Sequence, residues 1–75
     1  MDFSLTANGR KNIQSYLLSK GYKASFENYD TDYRDTEHII LVLQDVKTHK
    51  IVRVNFERSF FADKFRKFLK NNDLD

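Results

Sequence analysis

A chain of 75 residues folds as one domain, because at this length only about 60–65% of the unfolded surface can be buried and a single core uses it up. It contains no cysteine, which excludes a disulfide framework and a thiolate metal site, and no stretch approaches the roughly 20 apolar residues of a membrane-spanning helix. Thirteen Lys and Arg against eleven Asp and Glu leave a formal charge of +2, too small to name a partner by itself.

Stability must then come from apolar packing or from oligomerisation. Seven Phe and four Tyr supply the packing, since each ring can bury on the order of 150–250 Å². The bias toward Phe, Tyr, Ile, Asn and Lys over Gly, Ala, Arg and Pro is the one AT-rich coding produces, pointing to a low-GC bacterium or its phage. Met1-Asp2-Phe3-Ser4-Leu5 lacks the basic start and apolar run of a secretory leader, so a cytoplasmic location is expected. With no repeat and no Pro/Gly/Ser linker, residues 1–75 read as one α+β unit whose two ends fray.

Thr6 or Asn8 can cap a first helix running roughly over 7–20, in which Ile13, Tyr16, Leu17 and Lys20 share a face and Lys20-Gly21 terminates. Tyr22, Ala24 and Phe26 then alternate with Lys23, Ser25 and Glu27, the period of a strand with one wet face. From Asp30 to Thr36 the chain is polar and acidic and reads as a loop, which with Glu37 carries Asp30, Asp32 and Asp35. Ile39-Ile40-Leu41-Val42-Leu43 is a continuous apolar run of the kind found in a central strand covered on both sides.

Ile51–Phe56 alternates again. Lys47–Lys50 makes the turn of a hairpin, with Val46 facing Ile51, Leu43 facing Val54 and Leu41 facing Phe56. One face of the pair then holds Ile39, Leu41, Leu43, Val52, Val54 and Phe56 and receives both helices. The other presents Ile40, Val42, Gln44, Val46, Ile51, Arg53 and Asn55. One helix, the N-terminal Phe3 and Leu5, or the C-terminal Leu74 can fold across that second face; otherwise a second copy or a target protein is needed to cover it.

Ser59 can cap a last helix whose Phe61, Phe65, Phe68 and Leu69 form one apolar stripe. Lys64, Arg66, Lys67 and Lys70 fall on the opposite side, with Phe60 beside them rather than in the stripe. The expected architecture is helix, three-stranded antiparallel sheet, helix (αβββα), with both helices on one sheet face.

That order resembles the double-stranded RNA-binding domain over nearly the whole chain. His38 stands at the mouth of the second strand, and Ser59 and Lys64 can be laid on the Ser-Lys-Lys-x-Ala-Lys pattern that opens the family's last helix. The resemblance implies shape-directed RNA binding through the first helix, the loop before His38 and the start of the last helix. The chain departs from the pattern where Phe60 and Phe61 replace paired lysines, where no Gly-Pro precedes His38, and where the loop is acidic. The fold carries over more fully than the RNA-binding motif.

No nucleophile elbow, phosphate-cradling glycine loop or EF-hand spacing is present, and His38 and His49 lie at opposite ends of one strand. No enzymatic activity, metal, cofactor or small-molecule substrate is therefore expected. The expected function is that of a small regulator or inhibitor, of the kind phages and mobile elements carry, which occupies another protein or pairs with itself as a dimer. Its contacts are Ile40, Val42, Val46, Ile51, Arg53 and Phe60, with the acidic loop and the basic helix steering a mixed-charge surface. The alternative is nucleic-acid binding through Arg58, Lys64, Arg66, Lys67 and Lys70, with Arg10 and Lys11 as possible additions.

Overall fold

The structure, a computed structural model, describes residues 1–27 and 37–75. The Thr6 hydroxyl accepts the Gly9 N–H at 3.0 Å and starts α1, Ala7–Ser19. The helix stops after Lys20, where Gly21 takes φ +93°, a backbone conformation that only a residue without Cβ enters at no cost. Strands β1 (Tyr22–Glu27), β2 (His38–Asp45) and β3 (Ile51–Glu57) form one antiparallel sheet in that order, and α2 covers Phe61–Asn71. Among the described residues the sequence pattern thus finds each of the five elements, and β2 is central.

The hairpin register differs from the one expected. Gln44 pairs with Ile51, Leu43 with Val52, Leu41 with Val54 and Ile39 with Phe56, a slip of two residues. Asp45 is the cause. Its Oδ1 accepts the N–H groups of Lys47 at 2.8 Å and Thr48 at 3.0 Å, while its own N–H donates to the Lys50 carbonyl at 3.0 Å. This closes the turn over Val46–His49, one residue earlier than Lys47–Lys50, with His49 at φ 64° completing it. A slip of two leaves every side chain on its expected face.

Ile39, Leu41, Leu43 and Phe56 therefore meet the helices and are buried with Ile13, Leu17, Phe61, Phe65 and Leu69, placing both helices on one side of the sheet. Much of the core is aromatic. Phe56 meets Phe61, Phe65 and Phe68 at ring separations of 5.4, 6.3 and 5.6 Å in edge-to-face geometry.

Three further expectations change. Val52 lies on the core side of β3 but is 57% exposed, because the helices do not reach it. The N-cap of α2 is Phe60, not Ser59, and no side chain caps that helix. Both ends dock on the helices: Phe3 is buried between them, and the Tyr16 hydroxyl donates to the Leu74 carbonyl at 2.6 Å. Phe3, Leu5 and Leu74 consequently pack on the helical side and do not cross the sheet's other face.

Candidate functional site

The outer face of the sheet is built by period two. β1 contributes Lys23, Ser25 and Glu27, β2 contributes Ile40, Val42 and Gln44, and β3 contributes Ile51, Arg53 and Asn55. Ile40 and Val42 are half-buried, whereas Val46 and Ile51 are 38% and 52% exposed. Arg53 Nε donates to Glu27 Oε1 at 3.1 Å. Those residues sit on the two outer strands and one pair out of step, so the Arg53 stem spans β2 between Ile40 and Val42. The bridge is itself exposed and contributes at most about 1 kcal/mol. Its effect is to shield the central apolar pair and to leave the hairpin end, Val46 and Ile51, as the wet part of the face.

Phe60 is not part of that patch. It follows the far end of β3 from Ile51, about 20 Å along the strand, and stands at the start of α2. Its side chain is 78% exposed and its backbone is left-handed, φ 56° and ψ 34°. A bulky residue in that region is uncommon. The conformation turns Phe60 outward while Phe61, stacked on Phe65 at 5.8 Å, turns into the core. Of the six contacts expected from sequence, Ile40, Val42, Ile51 and Arg53 share one face, Val46 lies in the turn just beyond β2, and Phe60 stands apart.

The basic side of α2 is partly committed. Lys64 Nζ donates to Glu57 Oε2 at 2.9 Å, and this hydrogen bond, with the ammonium charge and that of His38, holds the Glu57 carboxyl below its usual range. Arg66 Nη2 donates to the Met1 carbonyl at 2.8 Å, and its guanidinium lies 5.2 Å from the centre of the Phe3 ring. Arg58 is half-buried, with its N–H on the Glu37 carbonyl at 2.7 Å. Lys67 and Lys70 are exposed, and neither forms an ion pair among the described residues.

Of the acidic loop, Glu37 is exposed beside β2, while Asp30, Asp32 and Asp35 lie outside the described residues. His38 and His49 stand at opposite ends of the hairpin, and among the described residues no three His, Asp or Glu side chains converge to hold a metal ion.

Sequence reasoning missed one feature. Where α2 ends, Tyr22, Leu43, Val52, Phe68 and Leu74 line a groove of about 450 Å³, with Asp45, Thr48, Lys50 and Asn72 at its lip. Val52 is the only sign of it in the sequence, and recognising that sign requires knowing where the helix stops. The chain matches no protein-family model, no curated protein and no solved structure.

Proposed function

We propose that this is a non-catalytic binding protein that acts by occupying a protein partner through the outer face of its sheet. The observation that carries the reading is that Ile51 and Val46 remain wet beside half-buried Ile40 and Val42, while both chain ends pack on the opposite, helical side. Alternating charge around this apolar strip, with Lys23, Glu27 and Arg53 on one face, suits a mixed-charge protein surface better than a uniform polyanion. A regulator or inhibitor of this size works by blocking its partner's surface, which needs no chemistry of its own.

The second reading is nucleic-acid binding of the double-stranded RNA-binding kind, and exposed Lys67 and Lys70 favour it. With Lys64 on Glu57, Arg66 on the N-terminal segment and Arg58 half-buried, Lys67 and Lys70 remain of the five, about two phosphate contacts, which predicts a shallow salt slope of about −2.

Parallel capture from nuclease-treated extract with wild type, Val42→Asp, Ser25→Arg and the Lys67→Glu/Lys70→Glu double variant, followed by reconstitution with each purified captured protein, tests the proposal. Ser25 is exposed opposite Val42, so its arginine variant obstructs the face without touching the core. Binding lost in the first two variants and kept in the double variant supports the outer face. Binding that survives Ser25→Arg, or binding only to nucleic acid and lost in the double variant, overturns it.

A further inference from the structure

The two edges of the sheet are finished differently. In β1, the Val46 N–H donates to the Gly21 carbonyl at 3.1 Å. The alternation this sets bonds Lys23, Ser25 and Glu27 to β2 and turns the backbone groups of Tyr22, Ala24 and Phe26 outward. Helix α1 packs against that strand, and Gln14 Nε2 donates to the Ala24 carbonyl at 3.1 Å.

In β3, the Asp45–Lys50 bond at 3.0 Å and the Arg58–Glu37 bond at 2.7 Å fix the opposite assignment. Val52, Val54 and Phe56 bond to β2, so Ile51, Arg53, Asn55 and Glu57 direct their N–H and C=O groups away from the sheet. Among the described residues no hydrogen bond reaches those outward groups. The strand has an unbroken register and the chain has no proline, so two usual devices for blunting an edge are missing.

The groove lies beside this same edge. A strand added to β3 would place alternate side chains next to Val52, above Leu43, Phe68 and Leu74. Two cations flank this edge: Lys50 stands at the groove's lip, and Lys67 lies about one turn beyond Lys64, whose bond to Glu57 shows that this flank of α2 borders β3. Along β3 the carboxylates are engaged, Glu57 by Lys64 and Asp45 by the N–H groups of its own turn, while Asp73 and Asp75 flank Leu74 at the end of the groove where α2 stops.

We propose that β3 is a strand-addition site for an extended acidic peptide, with one apolar side chain seated in the groove beside Val52. The proposal stands on the backbone edge and the groove, and it holds whether or not the outer face has a partner.

The probe is a short synthetic peptide alternating valine with glutamate, titrated into the whole protein labelled with nitrogen-15. The amides of Ile51, Arg53, Asn55 and Glu57 should shift and become protected from hydrogen exchange, with the Val52 methyls shifting in parallel. Asn55→Pro removes an outward N–H without breaking a bond to β2 and should weaken binding about tenfold. Val52→Asp, which closes the groove to an apolar group, should do the same without needing proline in the strand. The proposal is overturned if the peptide shifts Ile40 and Val42 instead, if a valine–lysine peptide binds as well, or if the β3 amides become protected with rising protein concentration alone, which would make a second copy the occupant.

Discussion

Phe3 stands edge-on to Phe65, with ring centres 5.1 Å apart and planes at 82°, so the first residues of the chain are a piece of the core. The same ring meets Tyr16 at 5.5 Å, and Arg66 packs against it while holding the Met1 carbonyl. On the other side of Tyr16, its hydroxyl holds the Leu74 carbonyl. Both chain ends thus cross the seam between the two helices. Phe3→Ala should lower the unfolding free energy by about 3 kcal/mol in urea, because a buried ring is lost and the seam cannot collapse around it. Tyr16→Phe should cost about 1 kcal/mol. A Phe3→Ala variant within about 0.5 kcal/mol of wild type would show that this segment is not docked.

Gly9 reverses a familiar sign. Gly→Ala inside a helix ordinarily stabilises by about 1 kcal/mol. Here a Cβ would lie 2.7 Å from the Ser4 carbonyl carbon and nearer still to its oxygen, so the N-terminal segment would have to move and take Phe3 with it. Gly9→Ala should therefore destabilise by about 2 kcal/mol. Removing residues 1–4 takes away the obstruction, and in that background the same substitution should be neutral or stabilising. A destabilisation of equal size in both backgrounds would mean that the close approach is not its cause.

The elements were legible because each has its own period. Ile13 and Leu17 repeat at helical spacing, Tyr22, Ala24 and Phe26 at spacing two, and Phe61, Phe65 and Leu69 at helical spacing again. The face of each strand residue followed for the same reason, which is why the outer face could be drawn up in advance. Register was not legible, since it depends on Asp45 choosing the Lys47 and Thr48 N–H groups as partners for its side chain. The α2 cap was missed because Phe60 takes its backbone conformation from neighbours: Phe61 must enter the core while Arg58 is tied to Glu37. Ion pairs between distant residues, Glu27 with Arg53 and Glu57 with Lys64, are invisible to local patterns. They decide which charges remain available to a partner.

Acid should loosen the hairpin at a pH set by Asp45. The N–H of Thr48, then that of Lys47, bonds to the carboxylate and holds its pKa below the ordinary 3.8. Because the folded value is the lower one, the contribution is fully present above the unfolded value and disappears as pH falls through the folded value. The Lys47 and Thr48 amide resonances should titrate together with a midpoint below 3.8, the ordinary value. Asp45→Asn keeps an acceptor oxygen and binds no proton, so in that variant both resonances should stay flat over the same range. A wild-type midpoint at or above the ordinary carboxylate value would contradict the turn geometry.

Phe60 gives the sharpest test of an anchor against a leftover. Holding a bulky L-residue in the left-handed region costs about 1–2 kcal/mol, and a ring that is 78% exposed recovers little of this by burial. Glycine enters the region freely and is also an acceptable N-cap, so Phe60→Gly should raise stability by about 1 kcal/mol, where most Phe→Gly changes lower it. Thermal and urea unfolding measure this directly, and a loss of stability would mean that the ring packs on α2 or β3 more than its exposure indicates. The same purified variant also separates two roles. An exposed aromatic that anchors a partner loses binding as the fold becomes more stable, whereas a residue of no consequence to binding leaves partner affinity unchanged while the melting temperature rises.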